Sequence, residues 1–479
     1  MTSGSVENAV RAAMQRARAA QAQAARWDQA TVDDVVAAVG WVCYRTDTAR
    51  RIADRSHAET GLGDAQHLYE LQRARVLGLL HDLHGAVTVG VVEDDPRSGI
   101  RKIARPIGVV AVASPATAPG SGVMCNALTM LKTRNAVIFT PNPRAHGVAM
   151  ESVNLMRDAL LRLGAPPDLI QCLDVTGREA AEALMAAADL VVAVGGSGAV
   201  RRAYSSGTPA FGAGVGNPTV VVDESADLAY AAERILFGAS YNNGTSCSSE
   251  SNVLVDRTVI HEFAAQLERA GGHLCTASEG DRLATALWPD GRNLNRQLIG
   301  RPVRQLAEAA GIAVDPAREV TTLVVAHPSP HVDSAIMHEK LAPVLTMSAY
   351  DSFDQAAQLV RRILDNYGRG HSCGLYSSSA VRAEQLANTA DTCRVVWNQS
   401  TMTNSGSLGS GVPYTQVISS GSWGGCSVSG NVTWRDFLNY TVVSRPIPER
   451  VPDRELLFGR HFRTDVVLPR PVSDSAMTA

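Results

Sequence analysis

The sequence predicts an α/β protein built from two doubly wound parallel-sheet domains. Three observations carry that prediction. Short apolar, β-branched runs alternate with helical runs through most of the chain, the pattern of a parallel sheet covered by helices on both faces. One such run, 190–194, passes directly into Gly195-Gly196-Ser197-Gly198 and a helical stretch over 199–204, which reads as strand, glycine turn and helix start. The chain has 479 residues, 45% of them hydrophobic, too many for one ordinary core.

Composition narrows the function classes. A formal net charge of −3 leaves no electrostatic footprint for nucleic acid or an anionic membrane, so small molecules are the expected partners. Eight cysteines, Cys43, Cys125, Cys172, Cys247, Cys275, Cys373, Cys393 and Cys426, lie far apart with no CxxC pair, which points to a reducing compartment. The amino terminus lacks an apolar core of the signal-peptide kind, and no run approaches the length of a membrane span, so a cytosolic protein, or one inside a body within the cytosol, is expected.

The elements follow in order. Residues 6–25 are rich in alanine, arginine and glutamine, with Val6, Val10, Ala13, Met14 and Ala17 on one side. This is a helix with a thin apolar stripe, docked either on its own domain or on a partner shell. Helices are expected over 31–41 and 47–60, and after the break at Gly61-Leu62-Gly63-Asp64 a long one to about Leu83. The runs 87–92 and 100–104 flank Asp94-Asp95-Pro96-Arg97-Ser98-Gly99, turn chemistry that predicts a hairpin. Strands at 108–113, 136–140 and 169–173 alternate with helices at 123–131 and 148–163. A glycine run over 212–216 precedes a strand at 219–222 and contains no carboxylate. Beyond residue 250 the alternation resumes: strands at 252–255 and 321–325, an extended run over 339–345, and helices at 260–270, 303–310 and 353–367. The stretch 406–425 reads as a loop, and the proline-rich tail from Arg445 as surface.

Cys247 stands out among these elements. It lies in Asn243-Gly244-Thr245-Ser246-Cys247-Ser248-Ser249-Glu250, a small-residue loop between a helical run and an apolar strand. Such a loop lets a thiol meet a substrate, and a nucleophilic thiolate needs polar neighbours of this kind. The alternative is a small buried hydrophobe. His327, His331 and His338 cluster in sequence, but their spacing matches no metal signature, and no metal is expected.

In family order, Arg105-Pro106-Ile107-Gly108, Leu131-Lys132-Thr133-Arg134-Asn135-Ala136, Thr140-Pro141-Asn142-Pro143-Arg144-Ala145, Gly195-Gly196-Ser197-Gly198, the Cys247 loop and Trp423-Gly424-Gly425 resemble segments of the aldehyde dehydrogenase superfamily, specifically its coenzyme-A-acylating branch. Within the branch, Tyr204-Ser205-Ser206-Gly207-Thr208-Pro209 and residues 243–251 look most like acylating sulfoacetaldehyde dehydrogenases, with acetaldehyde and propionaldehyde enzymes close.

The resemblance implies an aldehyde dehydrogenase-like fold. Its dinucleotide-binding domain would span 1–86 and 106–238, its oligomerisation hairpin and strand 87–105 and 432–445, its catalytic domain 239–431, and a surface tail 446–479. It implies Cys247 as the nucleophile, with Ala118, Tyr241, Thr245, Ser246 and Ser248 in the substrate pocket. Thr140, Pro141, Asn142, Gly195, Gly196, Ser197, Val200 and Glu339 would contact NAD or NADP, with coenzyme A as acyl acceptor because no glutamate precedes the nucleophile to activate water. A homodimer or homotetramer is implied, with the first helix as a contact to a microcompartment shell. Ala118 departs from the family, which has an oxyanion-binding asparagine there; Thr117 or Asn126 could replace that donor. The departure keeps two alternatives open: a weakly active paralogue retained for assembly, and a hydrolytic enzyme releasing the free acid.

Overall fold

The computed structural model describes residues 3–327 and 332–462. Four helices open the chain: α1 (Ser3–Ala24), α2 (Gln29–Tyr44), α3 (Thr46–Thr60) and α4 (Ala65–Leu83). The stripe of α1 is spent inside its own domain. Val6, Val10, Ala13, Met14 and Ala17 are all buried in the first core. Arg18 forks onto Asp189, and Gln171 Nε2 donates to the Ala13 carbonyl. The apolar face that a shell contact would use is therefore occupied, and only the polar face of α1 looks outward. Asp28 and Asp64 cap α2 and α4 through their carboxylates, as N-cap aspartates do.

The hairpin forms from β1 (Gly90–Asp95) and β2 (Ile100–Pro106), antiparallel. Its first strand begins later than expected at 87, because the Thr88 and Val89 N–H groups are taken by Gln29 Oε1 and pairing with β2 starts only at Gly90. The first parallel sheet comprises β3 (Val109–Ser114), β4 (Ala136–Pro141), β5 (Ile170–Cys172), β6 (Leu190–Val194) and β7 (Ala210–Ala213), in the order β5-β4-β3-β6-β7. Near-continuous burial of β3, β4 and β6 is what a parallel sheet covered on both faces requires. Helices α5 (Ser121–Lys132), α6 (His146–Arg162), α7 (Arg178–Ala187) and α8 (Ser197–Tyr204) cover it. Strand order reverses between β3 and β6, which opens a crevice at the carboxyl ends of those two strands.

A second, seven-stranded parallel sheet has the order β10-β11-β12-β9-β8-β13-β14. Its strands are β8 (Thr219–Val222), β9 (Asn252–Asp256), β10 (Gly272–Cys275), β11 (Thr322–Ala326), β12 (Val344–Tyr350), β13 (Cys373–Tyr376) and β14 (Val395–Trp397). Two expectations change here. The second sheet already begins at residue 219, upstream of the expected boundary at 238/239, because β8 hydrogen-bonds β9 and β13 and none of the first sheet. The extended run 339–345 is mostly loop, with Leu341 at φ 48°, and the strand starts only at Val344. A short antiparallel pair, β15 (Ile418–Ser420) and β16 (Ser429–Asn431), returns to the first domain. β17 (Leu438–Ser444) then adds to the free edge of β2. The tail is exposed from 445 through 461; residues 463–479 and His331 lie outside the described residues.

Candidate active site

Cys247 sits where the sequence places it, between α9 (Leu228–Ser240) and β9. Its loop is held from several sides. Asn242 and Asn243 adopt left-handed backbone, φ 51° and 53°, a conformation asparagine tolerates better than most residues. Asn242 Oδ1 accepts from the Asp64 N–H at 2.9 Å and its Nδ2 donates to Thr245 Oγ1 at 2.6 Å. Asn243 Nδ2 donates to the Gly63 carbonyl at 2.9 Å. On the far side, Thr401 Oγ1 donates to the Ser248 carbonyl at 2.6 Å. The β7–β8 connection passes so close that a Cβ on Gly216 would lie 2.0 Å from the Cys247 carbonyl oxygen.

A cavity of about 510 Å³ opens over the thiol. Of the expected residues it gathers Cys247, Ala118, Thr245, Ser246, Gly195, Gly196 and Glu339. Ser197 and Val200 instead line an adjoining cavity of about 570 Å³. Thr140, Pro141 and Asn142 stand at the end of β4 and line neither. Two expected pocket residues face elsewhere. Tyr241 packs its ring on His67, centroids 4.4 Å apart, and on Phe237 at 5.0 Å. Ser248 is fully buried beneath the loop, away from the cavity. Of the two candidate oxyanion donors, Thr117 lines the cavity. Asn126 does not: its Nδ2 is spent on the Gly122 carbonyl at 2.7 Å.

Electrostatics define a resting state. Burial, then the Glu339 charge, pushes the Cys247 thiol up to about 12, against Arg75, Arg394 and the residue's own backbone N–H, which favour the thiolate. Burial pushes Glu339 up to about 8, although its Oε1 accepts from the Gly216 N–H at 3.2 Å. The thiol therefore holds its proton at neutral pH. Arg75 and Arg394 carry no motif in the sequence. Each comes from an element far from residue 247, so only the fold could reveal them. Among the described residues, no group of three histidine, cysteine, aspartate or glutamate side chains could hold a metal ion, and the His338 ring is stacked on Tyr367 at 4.9 Å.

Glu250 anchors the loop from below. Its Oε1 accepts from the Thr401 N–H at 2.7 Å and Ser400 Oγ at 2.8 Å, while its Oε2 is buried without a partner. Burial raises this carboxyl to about 7 despite those two donors. The folded protein thus keeps a proton that the unfolded chain releases near 4.5, so this contribution to stability is complete below pH 4.5 and lost as pH rises through 7. Denaturant titrations of wild type and Glu250→Gln at pH 5 and pH 8 are expected to show the wild type losing roughly 3 kcal/mol more over that interval, at about 1.4 kcal/mol per pKa unit. Equal losses in the two proteins would contradict the assignment.

Fold and site together define an α/β protein of the oxidoreductase kind, in which Cys247 stands at a dinucleotide-type crevice. The aldehyde dehydrogenase family model matches residues 2–416, and the chain belongs to that family, in its acylating branch; it is an acylating aldehyde dehydrogenase. It is 39% identical over 456 residues to the acylating sulfoacetaldehyde dehydrogenase of Cupriavidus necator, covering 95% of this chain and 92% of that one. It is 32% identical over 455 residues to the acetylating succinate-semialdehyde dehydrogenase of Clostridium kluyveri, covering 95% and 99%. The fold matches the crystal structure of an acetylating aldehyde dehydrogenase from Geobacillus thermoglucosidasius with a TM-score of 0.90 at 29% identity, covering 94% and 99%.

Proposed function

We propose that this enzyme oxidises sulfoacetaldehyde, or a similar short anionic aldehyde, to the corresponding acyl-coenzyme A thioester. The supporting observation is the acid content of the cavity. Glu339 is the only carboxyl among its lining residues, its Oε1 is already engaged by the Gly216 N–H at 3.2 Å, and the glycine run beside Cys247 carries no acid. No free carboxylate is therefore set beside the thiol to activate water.

The Cys247 thiol releases its proton to solvent water in the open cavity, and its sulfur adds to the aldehyde carbon, the resulting oxyanion being held by the Cys247 N–H and the Thr117 hydroxyl. When bound, NAD or NADP would accept the hydride from the C–H bond that breaks as the oxyanion collapses to the acyl-cysteine thioester. The sulfur of coenzyme A then attacks that acyl carbon and Cys247 departs as thiolate. The crevice fits a dinucleotide. A side-chain carbon added at Gly196 or Gly214 would meet nothing within 4 Å, which is the open backbone that a pyrophosphate needs. Gly195, Gly196 and Ser197 would hold that group, with Val200 packed behind them, Thr140, Pro141 and Asn142 on the adenosine side and Glu339 on the nicotinamide side.

Two further features fit this reading. Val91, Tyr440, Val442 and Val443 are exposed on the β1-β2-β17 sheet, the surface through which copies of the chain would pair. All eight cysteines are unpaired, and no described helix is long and apolar enough to cross a membrane.

Steady turnover is expected to need coenzyme A. Mass spectrometry of the product at pH 7 should find the thioester, and NADH release without coenzyme A should stop after about one equivalent per active site. Sustained release of free acid without coenzyme A would overturn the acylating step.

A further inference from the structure

Arg75 lies in the middle of α4 and lines the Cys247 cavity. Its Nε is buried with no hydrogen-bond partner. Its Nη1 reaches only Ser121 Oγ and Gln416 Oε1, each at 3.4 Å, at the outer limit of a hydrogen bond. Both acceptors are neutral. The groups whose charge couples to Arg75 are Cys125, Cys247 and Tyr241, and no carboxylate is among them. Asp82, which shares a smaller cavity of about 130 Å³ with Arg75, is engaged by the Tyr414 N–H at 2.6 Å.

A partly buried guanidinium without a counter-charge is costly, and the cost is recovered when an anion takes up its free donors. Arg394, the other cation whose charge reaches the thiol, is already engaged through all three of its nitrogens: it donates to the His371 carbonyl at 2.9 Å, Asn431 Oδ1 at 2.8 Å and the Ser419 carbonyl at 3.1 Å. Arg296 also lines the cavity, but as an exposed side chain bathed by water; Arg75, with its Nε buried and unpartnered, retains donors inside the space where substrate must lie. Small residues keep that space open. A Cβ added at Gly122 would come within 3.6 Å of the Ala118 Cβ and 3.9 Å of Gln416 Oε1, so Ala118, the glycine at 122 and the Arg75–Gln416 pair adjoin one another.

We propose that Arg75 is the residue that selects the substrate, binding the oxyacid anion at the far end of the aldehyde. This inference rests on the anionic-aldehyde reading above. Planar donors of a guanidinium suit the oxygens of a sulfonate or a carboxylate, and Ala118 in place of a larger side chain leaves room for either beside the thiol.

The test measures kcat and KM for sulfoacetaldehyde, succinate semialdehyde and propionaldehyde in wild type, Arg75→Met and Arg75→Lys. The anionic-to-neutral ratio of kcat/KM is expected to fall about 10²- to 10³-fold in Arg75→Met, chiefly through KM, and to recover in part in Arg75→Lys. The larger fall identifies whether sulfonate or carboxylate is the better-matched anion. An unchanged ratio in Arg75→Met overturns the assignment. A wild type that shows no preference for either anionic aldehyde overturns instead the substrate reading on which it rests. Should Arg75→Met fail to fold, the wild type still decides. Ethanesulfonate is expected to compete with the aldehyde at least tenfold better than its neutral isostere ethyl methyl sulfone, and equal inhibition by the two overturns the role of Arg75.

Discussion

Replacing Cys247 by alanine is expected to lower NAD(P)-linked aldehyde oxidation by at least ~10⁴-fold, to the background of the assay. The other seven cysteines replaced one at a time should retain turnover. The reason is positional. Cys247 is the only cysteine lining the cavity of about 510 Å³ that also holds Gly195, Gly196 and Glu339. Cys43 and Cys373 are fully buried, where burial drives their thiols upward without an opposing cation. Only at Cys247 do two guanidinium groups, Arg75 and Arg394, favour the thiolate. Intact-mass measurement after mixing with aldehyde and cofactor, without coenzyme A, should find one acyl adduct on the wild type and none on Cys247→Ala. Wild-type turnover in Cys247→Ala, with activity lost at another cysteine, would move the nucleophile.

The second large effect is expected at Gly216→Ala, where no reacting group changes. The new methyl carbon would sit 2.0 Å from the Cys247 carbonyl oxygen and 2.9 Å from its carbonyl carbon. Real Cβ atoms do not approach backbone that closely, so either the β7–β8 connection or the nucleophile loop must shift. A displacement of about 1 Å at a reacting atom costs on the order of 10²-fold in rate. The Gly216 N–H that faces Glu339 Oε1 moves with it. Steady-state kinetics should show kcat/KM falling by that order while circular dichroism keeps the wild-type helix and strand content. Wild-type kcat/KM in this variant would mean that the two segments are farther apart in solution.

What could be read from the chain follows what each element needs. The strands 109–114, 136–141 and 190–194 bury both faces, so their apolar runs announce themselves without reference to anything distant. The Cys247 loop was legible as a junction because small polar residues separate a helical run from an apolar strand; its chemistry was not local, since a small buried hydrophobe would read the same, and rested on the family resemblance. Membership of a sheet is different. Residues 219–222 read correctly as a strand, yet the sheet they join is decided by hydrogen bonds to 252–255 and 373–376, which no local pattern encodes. The same limit applied to the site. Asn126 has the right chemistry for an oxyanion donor, but its amide turns back onto its own helix at Gly122. Arg75 carried no local signal, since an arginine in a long helix is usually solvated; its lack of an acidic partner becomes visible only once α4 is packed against 415–418.

The chain passes between its two sheets at residues 214–218 and returns at 398–417, and both crossings border the thiol: Gly214 and Val215 on one side, Met402, Ser405, Thr415 and Gln416 on the other. Both crossings thus run beside the same cavity as Cys247. Were one domain to rotate against the other about these two strands of chain, the outer lips of the crevice would swing through a wide arc while the sulfur, next to the pivot, would hardly travel. Bulky ligands would then come and go by way of the rim, and the Cys247 loop would not have to be taken apart and rebuilt between turnovers.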